Sequence, residues 1–130
     1  MREILFRGKP RRLNAYEWVH GHLLHHDENI SKIYSEEIDY VVGVIPETVG
    51  QYTGMTDENG TKIFEGDIVS FKRVNALGLT TSRIGDVRYY DELPIFYIMA
   101  TTGDAWDWVE CEQIEVIGNI HDNPELLEVE

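Results

Sequence analysis

Four histidines lie close together in one short stretch of the sequence, and their type and spacing are the ones best suited to bind a metal. If the stretch is an extended strand, alternate side chains share a face, so His20 and His22 would point the same way. His25 or His26 could complete a site for a transition metal. Zinc sites usually take ligands from a second segment as well, and the chain offers no pair of cysteines. We therefore interpret the histidines as exposed strand residues and predict neither a metal nor a cofactor.

A second group of possible ligands lies further along the chain, where Asp57, Asn59, Glu65 and Asp67 carry side-chain oxygens. A calcium loop needs oxygen ligands at alternate positions, a glycine and a distal glutamate, and this segment fits that pattern only in part. Turn chemistry explains the same residues better, because Asn-Gly pairs form tight hairpins and Gly and Asp favour sharp corners. We interpret the segment as a structural turn motif formed by Gly54, Asp57, Asn59, Gly60, Gly66 and Asp67.

No pattern of catalytic residues stands out. The single cysteine, Cys111, lies between Glu110 and Glu112, whose negative charges raise the pKa of a thiol and so disfavour a nucleophile. The sequence contains no Gly-x-Ser-x-Gly, phosphate-loop or dinucleotide-binding motif. No lysine follows an acidic residue at the two-residue spacing that common metal-dependent endonucleases use. The prediction is a protein without enzymatic activity, and a hydrolase or nuclease is the least favoured alternative.

Aromatic and basic residues supply the candidates for an interaction surface. Trp106 and Trp108 would share a face if both lie on one strand, and Tyr89, Tyr90 and Tyr97 precede them. Such aromatics can stack on nucleobases or bind a proline-rich peptide, although a position in the core or at an interface explains them better. With the basic residues near the start of the chain, the two tryptophans form the candidate interaction surface: Arg7, Lys9, Arg11, Arg12, Trp106 and Trp108.

The charge of the chain is strongly negative and unevenly distributed. The 130 residues carry a net charge of -13, which argues against general binding of nucleic acids. Residues 1–12 are nevertheless basic, with five Lys or Arg against one Glu, whereas residues 104–130 carry nine acidic side chains and no Lys or Arg. This asymmetry is typical of solvated surface. It would also suit an acidic face that binds a basic partner, or the basic end of a neighbouring copy.

The composition is that of an ordinary globular protein, with 42% hydrophobic and 27% charged residues. The length suits a single domain over residues 1–130. No run of about 18 apolar residues could cross a membrane, and the start of the sequence lacks the apolar core of a secretion signal. One cysteine excludes an internal disulfide and suits a reducing cytosol. We expect a cytoplasmic protein that does not associate with membranes.

The elements that would position these residues are nearly all predicted to be strands. In the first part, alternation and β-branched residues predict strands over 2–8, 16–24 and 39–45, with a polar loop over 25–36. In the second part, strands are predicted over 68–74, 84–90, 95–101, 105–111 and 113–120. A short helical turn is predicted to begin at Asn123-Pro124 and to run through Leu127.

The fold class that follows is mainly β with little helix. Short strands at regular spacing indicate an SH3-like small β-barrel over residues 63–120. We expect an N-terminal β-hairpin layer, over residues 1–50, to pack on this barrel. Residues 121–130 are predicted to form a C-terminal turn and tail.

A pattern that spans nearly the whole chain is carried by three segments: Arg2–Lys9 followed by Glu17–Gly21, Thr48–Gly54 running on to Glu65–Val69, and the closing Ile117–Leu127. In their order and in their residues, these segments resemble the YopX family of phage and prophage proteins. The resemblance implies a compact, β-rich protein that acts in the bacterial cytoplasm. It brings no established activity, no cofactor and no catalytic residues. The histidines at positions 20, 22, 25 and 26 are not part of the family's pattern.

The expected function is therefore that of a phage or prophage accessory protein, a non-enzymatic module that binds a host or phage protein. The acidic C-terminal third motivates this expectation. The alternative is nucleic-acid binding through the basic N-terminal hairpin, at Arg7, Lys9, Arg11 and Arg12. A homo-oligomer held by the opposite charges of the two ends is a further prediction.

Overall fold

The computed structural model of the chain describes residues 3–12, 18–92 and 95–128. Parts of the predicted strands over 2–8 and 16–24 therefore lie outside the described residues. The chain divides into two compact units, Met1–Gly54 and Met55–Glu130. The described residues form β-strands and short 3-10 turns without an α-helix, which confirms the predicted β-rich fold. None of these helical segments is long or apolar enough to span a membrane.

The first unit contains a multi-stranded sheet instead of the predicted hairpin layer. Its strands are β1 (Phe6–Gly8), β2 (Val19–His26), β3 (Ser31–Ser35), β4 (Tyr40–Val44) and β5 (Gly50–Thr56), with a 3-10 turn at Pro46–Thr48. They are hydrogen-bonded in the antiparallel order β4-β3-β2-β1-β5, and β5 runs two residues past the boundary of the unit. Because alternate residues of a strand face one side, the inward-facing Val19, Ile33 and Val44 form a core and are at most 3% exposed.

The polar loop predicted over 25–36 is wrong, because β2 continues to His26 and β3 begins at Ser31. The turn between the two strands depends on Asp27, whose carboxylate accepts two backbone N–H groups of the turn. β3 alternates as a strand should, but two of its inward positions are serines, Ser31 and Ser35, and both are buried. Serine is polar and is usually exposed, so the sequence of this segment does not show the alternation of apolar and polar residues that predicts a strand.

The second unit begins with β6 (Lys62–Phe64) and continues with β7 (Asp67–Val74), β8 (Thr80–Tyr90), β9 (Ile95–Ala100), β10 (Ala105–Trp106) and β11 (Glu112–Asn119). Strands β7 to β11 form an antiparallel sheet in the order β10-β9-β8-β7-β11. The hydrophobic core of the second unit comprises Ile63, Val69, Phe71, Val87, Ile98, Ala100 and Trp106. Most of the predicted strands of this half are confirmed to within a few residues, and so is the helical turn, at Pro124–Leu127.

Within the described residues the five-stranded sheet is open, because its strand order has two ends, β10 and β11. It is therefore not the closed small barrel predicted over 63–120, and the SH3-like detail is not confirmed. The predicted strand over 105–111 gives the local reason. β10 ends at Trp106, and the chain then makes a 3-10 turn at Trp108–Glu110, in which the Asp107 N–H donates to the Glu110 side chain at 3.2 Å. A strand of two residues offers too few hydrogen bonds to close a barrel.

Gly21 on β2 lies where there is no room for a side chain, because a Cβ placed there would be 1.9 Å from the carbonyl oxygen of Tyr34. Gly21→Ala would push β2 and β3 apart, and we expect it to lower the free energy of unfolding by about 3 kcal/mol. Gly43→Ala on β4 is the matched control, because its Cβ would meet only the Cδ of Arg11, at 3.7 Å. The control should change stability by less than about 0.5 kcal/mol. Urea denaturation followed by tryptophan fluorescence measures both variants, and equal stabilities would contradict the close approach of β2 and β3.

Candidate functional site

A backbone contact between the segment after β1 and the end of β4 forms one side of a cleft on the surface of the first unit. Pro10 forms an isolated antiparallel bridge with Val44. On either side of the bridge, the Arg11 N–H donates to the carbonyl of Gly43 at 3.0 Å, and the Ile45 N–H donates to the carbonyl of Lys9 at 2.8 Å. These bonds hold the segment along the outer edge of β4, so that the next side chains of the segment lie beside that strand.

The side chain of a buried threonine stabilises the same contact. The Thr48 hydroxyl accepts the N–H of Lys9 at 2.9 Å and donates to the carbonyl of Ile45 at 2.6 Å. Thr48 is only 7% exposed, so these polar groups satisfy one another away from water. Hydrogen bonds of the backbone of Lys9 and Arg11 therefore hold the basic segment in place.

The cleft that results has a volume of about 840 Å³ and lies on the outer side of β4. We call it the β4 cleft, and its lining residues are Pro10, Arg11, Arg12, Tyr40, Val41, Val42 and Gly43. Arg11 and Arg12 are exposed, Tyr40 is 69% exposed and Val41 is 42% exposed. Two guanidinium groups beside an aromatic ring and an aliphatic strand can bind a carboxylate or phosphate and pack on an apolar group.

The turn before β4 determines where Tyr40 lies. Asp39 has a φ of 50°, in the left-handed region that aspartate tolerates better than most residues. The hydroxyl of Tyr34 donates to Asp39 Oδ1 at 2.7 Å, and this hydrogen bond raises the pKa of Tyr34. Tyr40 follows directly and begins the strand. Sequence reasoning missed Tyr40 and Val41 as candidate contact residues, because an exposed edge strand and an ordinary half-buried one look alike in sequence.

Two of the predicted surface cations, Arg7 and Lys9, contact an aromatic ring of the same unit. The Arg7 guanidinium lies 4.6 Å and the Lys9 Nζ 5.6 Å from the centre of the Trp18 ring, distances typical of cation–π contacts. Arg7 is only 8% exposed, and Lys9 is half-buried. Among the four basic residues predicted as an interaction surface, only Arg11 and Arg12 are therefore fully accessible.

The two tryptophans predicted as contacts do not share a strand face. Trp106 is 7% exposed and lies in the core of the second unit, with the Arg73 guanidinium 4.2 Å from its ring centre. Trp108 begins a 3-10 turn and packs, half-buried, against the same core. Trp106 thus occupies the core position that its aromatic character favours, and burial removes it from the candidate interaction surface.

Each of the clustered histidines for which a hydrogen bond is seen has a different neighbour. The Nε2 atoms of His22 and His25 lie 3.0 Å from Glu36 and 2.8 Å from Asp27, respectively. The register of β2 shifts between Leu23 and His25, so the face defined by His20 and His22 does not continue along the strand. In the part of the chain that the structure describes, no three His, Cys, Asp or Glu side chains are grouped to hold a metal ion.

The turn motif after β5 is organised by the carboxylate of Asp57, which is 7% exposed. Its Oδ1 accepts the N–H groups of Asn59 and Thr61, both at 2.9 Å, and its Oδ2 accepts the N–H of Val116 on β11 at 2.9 Å. Burial alone would raise the pKa of Asp57, but the three backbone donors outweigh it and lower the pKa. The carboxylate thus joins its own turn to a strand far along the chain. All its strong contacts are to backbone donors, which is the chemistry of a structural residue.

The glycines of the turn motif have the conformations that such turns require. Gly54, Gly60 and Gly66 have φ values of 88°, 83° and 92°, in the region that favours glycine. The next turn is closed by Asp67, which is 2% exposed and whose Oδ2 accepts the N–H of Phe64 at 2.7 Å. The arrangement explains why glycines and short acidic side chains recur in this segment.

The surroundings of Cys111 favour the protonated thiol. Burial raises the pKa of its thiol to about 11, and the charges of Glu110 and Asp107 add to the effect. Its Sγ lies 3.4 Å from the carbonyl oxygen of Asp107. A thiol in this setting is a poor nucleophile at neutral pH.

Comparison with known proteins gives a family but no close relative of described function. The sequence model of a family described as YopX protein matches residues 5–128, which is nearly the whole chain. No curated protein matches the chain.

Asp57→Asn tests the hydrogen bonds of the turn motif. An asparagine can accept the N–H groups of Asn59 and Thr61, but its NH₂ group then faces the N–H of Val116 and leaves that donor unsatisfied. We expect the variant to lose about 2 kcal/mol of stability at neutral pH. Because the pKa of Asp57 is lowered by folding, its contribution is complete above the ordinary carboxyl pKa and is lost as the pH falls through the folded value. The difference between wild type and variant should therefore shrink in acid, as measured by urea unfolding across a pH series.

Asp91→Asn is the control for this experiment, because Asp91 is an exposed turn residue. It should leave stability within about 0.5 kcal/mol of wild type. A difference between wild type and Asp57→Asn that stays constant down to low pH would contradict the role of the ionised carboxylate.

Cys111 should react slowly with a thiol reagent while the protein is folded. A thiol with a pKa of about 11 is ionised on the order of a hundredfold less near neutral pH than one with its ordinary pKa. We therefore expect alkylation by iodoacetamide to be on the order of a hundredfold slower in the native protein than in urea. Glu110→Gln should speed the native reaction modestly, because it removes one of the nearby negative charges. Equal rates for the folded and unfolded chains would refute the protection of the thiol.

Proposed function

Because the chain belongs to the YopX protein family, we propose that it is a phage or prophage accessory protein that binds another protein and has no enzymatic activity of its own. The bacterial cytoplasm is the compartment in which we propose that it acts. The observation that carries the proposal is the β4 cleft, where two exposed arginines lie beside exposed Tyr40 and Val41.

The composition of the β4 cleft supports a protein partner. Tyr and Arg are the residue types that recur at the energetically important centres of protein interfaces. Tyr40 and Val41 offer apolar surface that a folded protein would ordinarily bury, and they lie on a strand at the end of the sheet order. The cleft thus provides both an apolar contact and two cations, which is more than general attraction to a polyanion requires.

The environment of the reactive side chains supports a role without catalysis. The carboxylate of Asp57 is occupied by three backbone donors, and the thiol of Cys111 has a raised pKa. His22 and His25 are each hydrogen-bonded to an acidic neighbour on an exposed surface. Catalytic groups usually converge on one cavity, and these four residues do not line the β4 cleft.

Nucleic-acid binding is the second candidate, and one observation favours it. Arg11, Arg12 and Tyr40 line the same cleft, and cations beside an aromatic ring are the combination that binds a single strand by charge and stacking. Against it stand the net charge of -13 and the contacts of Arg7 and Lys9 with Trp18, so that of the four basic residues at positions 7 to 12 only Arg11 and Arg12 are fully exposed. Self-association is a third proposal, since a second copy would present exposed acidic residues such as Glu125 and Glu128.

Affinity capture of the tagged protein from infected or prophage-induced cells tests the proposal. We expect a specific protein to be recovered whether or not the sample is treated with nuclease. Arg11→Glu with Arg12→Glu should reduce its recovery by at least about fivefold, because charge reversal repels the partner's complementary group. Lys32→Glu with Lys72→Glu is the matched control, since it changes the net charge equally at exposed residues outside the cleft.

The outcomes separate the candidates. Recovery that is lost after nuclease treatment would replace the protein partner with nucleic acid. Recovery of only the chain itself would favour self-association. Failure of the tagged protein to retain any protein above the untagged background, in low salt, would refute the proposed function.

A further inference from the structure

We propose that two copies of the chain associate through one end of the second unit, where an apolar, basic hairpin of each copy packs against an acidic turn of the other. The hairpin tip comprises residues 74–79, between β7 and β8, and the acidic turn comprises residues 107–112, which run from the end of β10 into β11. This inference goes beyond the proposed function, because it concerns the second unit, whereas the β4 cleft lies on the first.

The hairpin tip and the acidic turn carry the most exposed large apolar side chains of the described residues. Val109 is 88% exposed in the acidic turn, and Leu77 is 83% exposed in the hairpin tip. Leu79 and Val74, also in the tip, are 61% and 43% exposed. A single exposed leucine is ordinary on a protein surface. A group of exposed apolar residues at one end of a unit instead indicates an interaction site.

Hydrogen bonds hold the hairpin tip in a defined conformation. The side-chain oxygen of Asn75 accepts the N–H of Leu77 at 2.9 Å and the N–H of Leu79 at 3.0 Å. The Asn75 N–H donates to the carbonyl of Leu79, and the Gly78 N–H donates to the carbonyl of Asn75, both at 3.0 Å. The leucines are therefore presented by an ordered turn, which lowers the entropy that is lost when they are buried in an interface.

The hairpin tip and the acidic turn lie at the same end of the second sheet. Near the tip, Lys72 on β7 pairs in register with Glu112, the first residue of β11. Because β7 and β11 are antiparallel, the turn that leads into Glu112 lies on the side of the tip. The Arg73 guanidinium is 4.2 Å from the ring centre of Trp106, so the start of the turn is also close to the end of β7. Both segments thus belong to one end surface of the unit.

The charges of the two segments are opposite in sign. Residues 70–85, which contain the hairpin, include no acidic residue and three basic ones: Lys72, Arg73 and Arg83. The acidic turn includes no basic residue and three acidic ones: Asp107, Glu110 and Glu112. A surface with three positive charges beside three negative charges is complementary to itself. In a two-fold dimer, the hairpin of each copy meets the turn of the other, so every contact occurs twice.

This pairing of charges favours a second copy over other occupants of the surface. A nucleic acid or an anionic membrane would match the basic hairpin but would be repelled by the acidic turn beside it. A second copy matches both segments and covers the apolar residues of both. The net charge of -13 on each copy opposes association, but charges more than about 10 Å apart are largely screened at 0.1 M salt. The local contacts therefore determine whether the dimer forms.

Sedimentation velocity of the full chain over a range of concentrations tests the inference. Wild type is expected to convert reversibly from monomer to dimer as its concentration rises. Leu77→Ser with Leu79→Ser should weaken dimerisation by about tenfold or more, because each lost contact occurs twice. Val109→Ser should weaken it by at least about threefold. Leu24→Ser with Ile30→Ser, a matched pair of exposed apolar residues in the first unit, should stay within about twofold of wild type.

Disulfide trapping tests which segments meet. A Leu77→Cys variant and a Val109→Cys variant, with different tags, are mixed and mildly oxidised. A disulfide between the two variants should form in preference to a disulfide within either, because the tip of one copy meets the turn of the other. Wild type is the control, since its only thiol is Cys111, whose raised pKa disfavours the reactive thiolate.

Each contrary result overturns a stated part of the inference. Wild type that stays monomeric up to about 1 mM, or a dimer that the leucine variant leaves unchanged, would refute the interface. Homodisulfides that form as readily as the mixed disulfide would refute the contact between hairpin and turn. If wild type is monomeric and the leucine variant instead loses a protein recovered by affinity capture, the surface binds that protein and not a second copy. The dependence of such recovery on Arg11 and Arg12 tests the proposed function separately.

Discussion

The backbone contact between the segment after β1 and the end of β4 is the constraint on which the first unit and its cleft depend. Two backbone hydrogen bonds flank the Pro10–Val44 bridge, and Thr48 joins Lys9 to Ile45 beneath them. Without this contact, β1 and β4 would be related only through the strands between them, and Arg11 would not lie beside Gly43. The cleft is thus a consequence of how the sheet satisfies its backbone groups, and its arginines are positioned by main-chain geometry.

In the second unit, a side chain forms hydrogen bonds to backbone groups that lie far apart in the sequence. The carboxylate of Asp57 is shared between its own turn and the N–H of Val116 on β11, 59 residues further along the chain. Both units therefore use one small, buried polar group to satisfy backbone donors or acceptors that a regular ladder does not reach. Thr48 and Asp57 are each 7% exposed, so water cannot readily replace them if they are removed. In a chain with so little helix, such groups take over the role that caps have at helix ends.

Local sequence patterns predict this fold well where the pattern and the burial agree. The strand over 68–74 was predictable because Ile68, Val69 and Phe71 are apolar and are indeed buried. β3 was missed because Ser31 and Ser35 are polar and buried, and the end of the predicted strand over 105–111 was missed because a 3-10 turn also tolerates its residues. The open order of the second sheet could not be read from strand spacing, since spacing does not specify which edges pair.

The candidate site shows the same division between local and long-range information. The charges of Arg11 and Arg12 are visible in the sequence, but the burial of Arg7 beside Trp18 depends on tertiary contacts that no local pattern contains. Tyr40 became a candidate only when β4 proved to be the last strand in its sheet order.

The two end strands of the second sheet and β4 of the first sheet are protected from the addition of a further strand in different ways. β10 has only two residues, which leaves little edge to extend. β11 is longer, but it carries Glu112 and Glu115 and two shifts of register, and both charges and bulges discourage the addition of a strand. β4 has neither charged residues nor a bulge, but the segment after β1 bonds to its outer edge at Gly43 and Ile45, so the chain itself covers this part of the edge.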